Sequence, residues 1–514
     1  MPKTARINKA DKVQEEQPPL LPADKPNSRL TLLLKEYLQD DEIESIWNAY
    51  RLSKKAHEGQ KRSSGEDYIT HPVSVACIAA KFHLDAASIQ AALLHDVVED
   101  TSITVEEIEK KFNPQVAQLV GGLSKLDKIN FDDATHAQAE NFRKMLLAMS
   151  QDVRVILVKL SDRLHNMQTL NHLKPSKRIR IAQETTDIYS PIANRLGLNS
   201  LYQELEDLAF RHIHPLRYKT INKAILAARG NRKEVVGRIL DDIQKKLKSF
   251  RVKAKVSGRE KNESSIHRKM LKKHTSFSQI NDIYAFRIIC DDISDCYEAL
   301  GIIHNIWPMI PGRFKDYIST PKSNGYSSIH TNVIGPLGRP IEIQIRTQKM
   351  HELNEYGVAA HWYYKEKNST PVKLNKVSLN LFKEFSEIIG NSSGADDLLS
   401  HSKMEMYSDQ VFCFTPKGEV ITMPKTATPI DFAFSVHSKL GETCVGCKIN
   451  GRAAPLQTIL SNGDQVEILR SNSQTPQPSW LNYTVTGKAL SLIHISEPTR
   501  LLSIAYAVLC LKKK

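Results

Sequence analysis

The stretch Ala92-Leu93-Leu94-His95-Asp96-Val97-Val98-Glu99-Asp100-Thr101 sets a histidine and an aspartate side by side at the end of an apolar segment. A second histidine, His71, and a second aspartate, Asp162, occur in two other segments with helical patterns. Two imidazoles and two carboxylates match the ligand needs of one octahedral divalent metal, and the mixture fits Mn²⁺ or Fe²⁺ better than a closed zinc site. Such a metal activates water toward phosphorus. The pattern predicts metal-dependent phosphate chemistry in a helical domain.

Residues around these ligands supply further polar groups at helical spacing. Three pairs are four residues apart, which puts each pair on one helix face: His95 with Glu99, Asp96 with Asp100, and Asp162 with Asn166. We expect Glu99 and Asp100 to lie near the attacking water as catalytic groups. Arg62, Ser63 and Ser64 precede His71 and offer a cation and hydroxyls that can bind the phosphates or the base of a substrate, and we expect Asn166 to bind the substrate as well. An adjacent His–Asp pair alone would also suit the polar surface of a helix, so the prediction depends on the full set.

Composition indicates several domains and an anionic partner. The 514 residues exceed the roughly 250 at which single cores stop growing. Lys and Arg number 71 against 57 Asp and Glu, and this excess of +14 favours phosphate-rich small molecules or RNA as partners, although a soluble surface alone would also fit. Seven cysteines without a framework spacing favour the reducing cytosol, and Cys444-Val445-Gly446-Cys447 is interpreted as packing. The N-terminus lacks the apolar region of a signal peptide, and we expect no membrane partner.

The pattern along the chain predicts a multidomain α and α/β protein. The predicted segments are a disordered arm (1–29), a helical domain (30–201), a helical connector (202–249), an α/β domain (250–367), a polar linker (368–408), a small module of short strands (409–470) and the start of a regulatory region that is otherwise missing (471–490). The tail (491–514) closely resembles translated sequencing-adapter DNA and is predicted to be an assembly artefact. We therefore expect the natural protein to continue beyond about residue 489.

The α/β domain carries a second phosphate constellation. Asp282 opens a predicted buried strand, and Glu342 lies on an alternating strand where it shares a face with Gln344 and Arg346. Carboxylates on neighbouring strands can hold Mg²⁺ against a nucleoside triphosphate. Basic and polar residues suited to phosphate oxygens lie nearby in sequence: Arg259, Lys261, Arg313, Lys315, Lys322 and Asn324. Tyr326, which follows an Asn-Gly turn, offers a flat face to a purine. A sheet with a solvated polar face is the simpler interpretation for Glu342 taken alone.

These motifs resemble those of the RelA/SpoT family, whose enzymes make and destroy the alarmones ppGpp and pppGpp. The similarity runs from about residue 30 to 489 and implies an all-helical HD hydrolase domain, a nucleotidyltransferase-like α/β synthetase domain and a small β-grasp TGS domain. The implied hydrolysis releases pyrophosphate from ppGpp or pppGpp to leave GDP or GTP, with Mn²⁺ in the site. The implied synthesis moves pyrophosphate from ATP to the 3′-hydroxyl of GDP or GTP, with Mg²⁺. By the same resemblance, Asp282 and Glu342 hold the metal, Tyr326 stacks on guanine, Arg259 contacts ATP, and Lys315, Lys322 and His330 face phosphates.

Some residues depart from the family pattern. Asp67 stands where the family usually has proline, which loosens a turn without removing a ligand. Asn262-Glu263-Ser264 replaces a His-hydrophobic-Tyr stretch, and Ser327 replaces a usual glutamine. Because the last two changes flank Arg259 and Tyr326, we expect synthesis to be weaker than hydrolysis.

The small module, with Val411–Gly418 and Asp431–His437, resembles a TGS domain, and its His437 is placed by that resemblance where a tRNA 3′ end, the ribosome or a regulatory protein docks. Two other function classes remain open from the residues alone. One is a metal-dependent nuclease or phosphodiesterase acting on nucleic acid, which the lack of aromatic residues along a basic stripe disfavours. The other is a ribosome-associated regulator with decayed catalytic sites, which the complete set of predicted metal ligands disfavours.

Overall fold

The computed structural model describes residues 29–127, 152–229, 233–277, 284–322, 324–338, 340–360, 410–471 and 473–495. Within these ranges the chain forms two compact units, of which the first comprises residues 29–125, 154–173 and 359–360 and the second comprises the rest. Asp282, the predicted linker, and the predicted arm up to residue 28 lie outside the described residues. Among the helices that the structure describes, none has both the length and the apolar character that crossing a bilayer requires.

The first unit is helical, as predicted. Its helices are α1 (Arg29–Lys35), α2 (Asp40–Ala56), α3 (Thr70–Lys81), α4 (Ala86–Leu94), α5 (Val97–Asp100), α6 (Val105–Lys111), α7 (Pro114–Asp127) and α8 (Val153–Gln168). Helix α4 starts at the N-cap Asp85, whose carboxylate accepts from Ser88 N at 3.0 Å. Every α4 residue after Ala86 is buried, and so are ten residues of α3, because both helices are apolar on nearly all sides. These two helices form the centre of the unit and carry His71 and His95 to it.

The second unit contains a run of helices that spans the end of the predicted helical domain (30–201) and the predicted helical connector (202–249). They are α9 (Pro175–Glu184), a π-helical turn (Thr185–Tyr189), α10 (Ser190–Arg195), α11 (Asn199–Ile213), α12 (Pro215–Arg229) and α13 (Lys233–Ser249).

An α/β region follows, again as predicted. Its elements are β1 (Ala254–Glu260), α14 (Glu263–Lys273), β2 (Tyr284–Cys290), α15 (Ile293–Ile306), β3 (Lys315–Asp316), β4 (Ile329–Ile334), β5 (Pro340–Thr347) and α16 (Gln348–Tyr356). The strands form one sheet in the order β1-β2-β5-β4-β3, in which β2 and β5 are parallel and the other pairs antiparallel. Apolar residues of α13 and α15, such as Ile243 and Ile303, cover one face of the sheet and form one core with the strand residues Phe286 and Ile343.

Helix α16 ends at Tyr356. The cause is Gly357, whose φ of +52° ends the helix where it approaches the α10–α11 turn closely. A Cβ atom on Gly357 would lie 2.2 Å from the carbonyl oxygen of Leu196. Val358 N donates to that same carbonyl at 3.0 Å, and Asn199 Nδ2 donates to Asn354 O at 2.6 Å.

The small module contains short strands and helices, in agreement with the prediction. They are β6 (Gln410–Phe414), β7 (Val420–Pro424), α17 (Pro429–Val436), α18 (Ser438–Glu442), β8 (Cys444–Ile449), β9 (Arg452–Ala454) and β10 (Val466–Arg470). Strands β6 and β7 pair with each other, while β8 lies between β10 and β9. A last helix, α19 (Gly487–Ile495), buries Ile493 beside Trp480 and Phe434, so Leu492 and Ile493 of the predicted artefact pack with the module, whereas 496–514 lie outside the described residues.

Candidate metal centre and nucleotide site

The structure brings the four predicted metal ligands of the first unit together. One ligand atom from each of His71, His95 and Asp162 lies within 4.8 Å of the others, and all three residues are buried. Asp96 joins them, with its Oδ1 at 3.1 Å from His95 Nε2 and its Oδ2 at 3.5 Å from His71 Nε2. Asp162 Oδ1 lies 3.2 Å from His71 Nε2. Residues up to 91 positions apart in sequence therefore converge on one point between α3, α4 and α8.

The His95–Asp96 pair lies at a break between two helices, which corrects the prediction that His95 and Glu99 share the face of one continuous helix. Helix α4 ends at Leu94 and α5 begins at Val97. Adjacent residues of a regular helix diverge by about 100°. The break allows His95 and Asp96 to face the same centre, whereas Asp162 and Asn166 share a face of α8 as predicted, with Asn166 Nδ2 donating to Asp162 Oδ1 at 2.6 Å.

The chemistry of this donor set fits a divalent cation. His95 Nδ1–H donates to the Ala92 carbonyl at 2.9 Å, which leaves the Nε2 lone pair directed at the carboxylates. His95 Nε2 is buried and has no hydrogen-bond partner among the residues that the structure describes. A histidine held through one ring nitrogen by a backbone carbonyl, with the other nitrogen unsatisfied in a polar centre, is the usual arrangement of a metal ligand.

Electrostatics at the centre favour added positive charge. Burial lowers the pKa of His71, so its imidazole is neutral. Burial alone would lower the pKa of His95, but the carboxylates of Asp96 and Asp162 outweigh it and raise that pKa. Burial alone would raise the pKa of Asp162, but the Lys159 ammonium at 3.1 Å and the two histidines hold it well below its usual range. A divalent cation would be stabilised by the same carboxylate charges that raise the pKa of His95.

Two of the predicted substrate-binding residues, Arg62 and Asn166, lie beside this centre. Arg62 Nη2 donates to Asn166 Oδ1 at 3.0 Å, and Arg62 Nη1 donates to His165 Nδ1 at 3.2 Å. Ser64 Oγ bonds Glu66 at 3.3 Å, and Ser63 is exposed. Arg62 is therefore linked through Asn166 to the ligand Asp162, and Ser63 and Ser64 lie in the loop between Lys61 and Asp67, whose backbones form a β-bridge.

The predicted catalytic carboxylates follow the ligands directly. Glu99 and Asp100 form the end of α5, and Asp100 N donates to Asp96 O at 2.9 Å. Tyr68 links this turn to the ligands, because its hydroxyl donates to Asp96 Oδ2 at 2.8 Å. Burial, followed by the charges of Asp96 and Asp100, raises the pKa of Tyr68 above its ordinary value, so the phenol stays protonated and remains a donor.

In the second unit, Glu342 on β5 is the centre of a polar cluster. Lys261 Nζ donates to Glu342 Oε2, and Gln344 Nε2 donates to Glu342 Oε1 at 3.1 Å. His330 Nδ1 lies 3.8 Å from Glu342 Oε1. Burial opposes ionisation, but Lys261 and these neighbours hold the pKa of Glu342 below its ordinary value. Glu342 pairs with Ala285 across the parallel strands β5 and β2, so the predicted neighbourhood of the two strands is confirmed, while Asp282 itself lies outside the described residues.

Tyr326 lies beside this cluster on the predicted Asn-Gly turn. Its hydroxyl and His330 Nε2 are 2.8 Å apart, and Lys322 Nζ lies 5.3 Å from its ring centre. Asn324 anchors the turn, because its Nδ2 donates to Asn194 O at 3.0 Å and its Oδ1 accepts from Tyr326 N at 3.2 Å. Burial lowers the pKa of His330 to about 4, so this ring is neutral near pH 7.

Three further predicted residues have different surroundings. Lys315 is exposed on β3, opposite His330 in the strand register. Arg346 is 1% exposed, with its Nη2 at 3.6 Å from Glu355 Oε1, so it lies deeper than its sequence alternation indicated. Arg259 lines a cavity of about 440 Å³. The other residues that line the cavity include Arg211, Arg287, Glu204, Asp207 and Glu355.

The departures from the family pattern are accommodated locally. Ser264 N donates to Asp207 Oδ1 at 3.2 Å, and Glu263 Oε1 accepts from Asn222 Nδ2 at 2.9 Å. Ser327 exchanges two hydrogen bonds with the Asn354 amide, at 3.0 and 2.7 Å. Sequence reasoning missed Tyr68, Lys159, His165 and Arg287, because no residue pattern within their own segments indicates which distant groups they meet.

Three family models match the chain. They are an HD domain over residues 49–199, a region found in RelA/SpoT proteins over residues 258–369, and a TGS domain over residues 411–470. HD-domain hydrolases use a divalent metal, in agreement with the His71, His95 and Asp162 site.

Curated relatives are similar over most of the chain. The chain is 47% identical over 464 residues to the bifunctional (p)ppGpp synthase/hydrolase SpoT of Escherichia coli (strain K12), and the aligned region covers 90% of this chain and 66% of that protein. It is also 47% identical over 459 residues to the GTP pyrophosphokinase rsh of Brucella melitensis, covering 88% of this chain and 61% of that protein. The chain thus spans 61–66% of the length of these relatives. The crystal structure of small alarmone synthetase 1 from Bacillus subtilis matches 36% of this chain and 94% of its own, with 22% identity and a TM-score of 0.24. The resemblance inferred from the motifs is confirmed, and the chain belongs to the RelA/SpoT family.

Proposed function

We propose that the first unit hydrolyses the 3′-diphosphate of ppGpp or pppGpp, releasing pyrophosphate and leaving GDP or GTP. The observation that carries this proposal is the convergence of two buried histidines and two aspartates, with His95 Nε2 unsatisfied at their centre. His71, His95, Asp96 and Asp162 would hold the cation, and Mn²⁺ suits their mixture of nitrogen and oxygen donors. When bound, the cation supplies Lewis-acid polarisation and activation of water.

The chain's own residues divide the remaining tasks. Arg62 and Asn166, joined at 3.0 Å, would bind the nucleotide beside the ligands, with Ser63 and Ser64 adding hydroxyl donors. Glu99 and Asp100 would accept a proton from the attacking water. The curated relatives support this assignment, since one is named a guanosine-3′,5′-bis(diphosphate) 3′-pyrophosphohydrolase.

We propose further that the α/β region transfers pyrophosphate from ATP to the 3′-hydroxyl of GDP or GTP, with less activity than the hydrolase. Glu342, together with Asp282, would hold Mg²⁺, which supplies charge neutralisation of the triphosphate when bound. Arg259 would contact ATP, and the cavity of about 440 Å³ that it lines has a size that suits this nucleotide. The phosphate-facing residues of this proposal are Lys261, Lys315, Lys322, His330, Gln344 and Arg346, with Asn324 positioning Tyr326 for stacking on guanine.

The division into domains at 30–201, 202–249, 250–367 and 409–470 is part of this proposal, as is a cytosolic location. The six described cysteines are buried and form no disulfide, which is compatible with a reducing compartment. In the TGS module, exposed His437 accepts from Lys439 N through Nδ1 at 3.1 Å, so its Nε2–H is the donor that a tRNA end, the ribosome or a regulatory protein would meet.

Incubation of the purified protein with ppGpp and Mn²⁺, with products separated by anion-exchange chromatography, tests the hydrolase. We expect GDP and pyrophosphate, and no product when a chelator is present. Single-stranded RNA in a parallel reaction tests the nuclease class. Cleavage of RNA with intact ppGpp would overturn the proposal.

A further inference from the structure

A third histidine, His165, contacts the metal centre without belonging to its ligand set. His165 Nδ1 lies 2.7 Å from His71 Nδ1, and the two rings are 5.0 Å apart between centres. One of the two nitrogens must carry the hydrogen and the other must accept it. The choice decides the state of His71, because a neutral imidazole has one N–H and one lone pair.

Arg62 decides which nitrogen accepts. Its Nη1 lies 3.2 Å from the same His165 Nδ1, and a guanidinium can only donate. A proton on His165 Nδ1 would face the Arg62 N–H group, whereas a lone pair there accepts from both neighbours. His71 Nδ1 is then the donor. Its Nε2, which lies 3.2 Å from Asp162 Oδ1, is left with the lone pair that a metal needs.

Arg62 reaches a second ligand by a separate route. Its Nη2 donates to Asn166 Oδ1 at 3.0 Å, which orients the Asn166 amide so that Nδ2 donates to Asp162 Oδ1 at 2.6 Å. One guanidinium, fixed in a planar fork, thus orients a histidine ligand through His165 and a carboxylate ligand through Asn166.

We propose that His165 is a positioning residue that holds His71 in the tautomer with its lone pair on Nε2, and that Arg62 enforces this tautomer. The inference rests on the proposed metal-dependent hydrolase. Partners of this kind affect metal affinity about 10–100-fold in other sites.

The test measures Mn²⁺ binding to the full chain by isothermal titration calorimetry. The binding step that belongs to the proposed hydrolase site is the one that is lost in His95→Ala. His165→Asn keeps an acceptor oxygen where Nδ1 was, and His165→Leu has a similar size and no acceptor. We expect His165→Leu to weaken Mn²⁺ binding about 10–100-fold and His165→Asn to retain most of the affinity. Equal affinity in all three proteins, or equal loss in both variants, would overturn the positioning role.

Two further arms complete the test. If His165→Leu does not fold, as judged by circular dichroism in chelator, Arg62→Met probes the same relay from its other end. We expect Arg62→Met to weaken Mn²⁺ binding, and wild-type affinity would overturn the proposal. If the wild-type protein shows no Mn²⁺ step that His95→Ala removes, the proposed hydrolase site itself fails, which is a different outcome from a failed relay.

Discussion

The substitution Asp96→Asn separates the two proposed activities. Asp96 accepts the Tyr68 hydroxyl at 2.8 Å, and an asparagine oxygen can still accept it. Replacing a charge-assisted hydrogen bond with a neutral one costs about 1 kcal/mol of folding free energy, which is small against a stability of about 5–15 kcal/mol. The effect on metal binding is larger, because Asp96, whose Oδ1 lies 3.1 Å from His95 Nε2, is one of only two anionic ligands proposed and becomes neutral. We expect Mn²⁺ affinity and ppGpp hydrolysis to fall about 100-fold or more, or about 2.7 kcal/mol.

The assay follows hydrolysis of ppGpp with Mn²⁺ and synthesis from ATP and GDP with Mg²⁺ in the same preparation. Synthesis should be unchanged, because Asp96 and Glu342 lie in different compact units. Asp85→Asn is the matched control. It removes the same charge at the N-terminus of α4, a nine-residue helix about 13 Å long that ends before His95, and asparagine caps a helix as well as aspartate. Equal loss of both activities in folded Asp96→Asn protein, or normal hydrolysis, would refute the two-site reasoning.

Three other predictions test the same scheme. Glu342→Gln should reduce ppGpp synthesis on the order of a hundredfold or more, and Tyr326→Ala should mainly raise the KM for GDP. The synthesis rates of both variants are measured with radiolabelled ATP. A wild-type protein that makes no ppGpp under any condition would contradict the bifunctional assignment. Chelator should abolish hydrolysis and added Mn²⁺ should restore it, whereas full activity in chelator would exclude the proposed centre. Burial lowers the pKa of His330 and of His351 to about 4, below the value of about 6.5 in an unfolded chain. Their neutral native forms therefore contribute stability that is fully present above about pH 6.5 and is lost as the pH falls toward about 4, by at most about 1.4 kcal/mol per histidine and pH unit. Thermal unfolding of chelator-treated protein should show a Tm that falls across this pH range, and the fall should be smaller in His351→Gln. A constant Tm would contradict this prediction.

The sequence was sufficient for the classes of structure and for the chemistry of the first site. The apolar patterns predicted the helices and the sheet, and residue types alone identified His71, His95 and Asp162 as a set. Orientation could not be predicted in the same way. The sequence pattern does not indicate the break after Leu94, and the role of His165 depends on Arg62, which is 103 residues away in sequence. Such contacts are properties of the folded chain, because spacing fixes neighbours only within one helix or strand.

The close approach at Gly357 determines where this protein can be divided. The HD family match ends at residue 199 and the RelA/SpoT match begins at residue 258, which suggests a cut between them. Yet Leu196 O accepts from Val358 N, and Asn194 O accepts from Asn324 Nδ2. A synthetase fragment that starts after residue 199 would leave these donors without their partners, each at a cost of about 1–3 kcal/mol if it stays buried. A fragment made to carry the synthetase should therefore begin before α10, so that it keeps the carbonyl acceptors of Asn194 and Leu196.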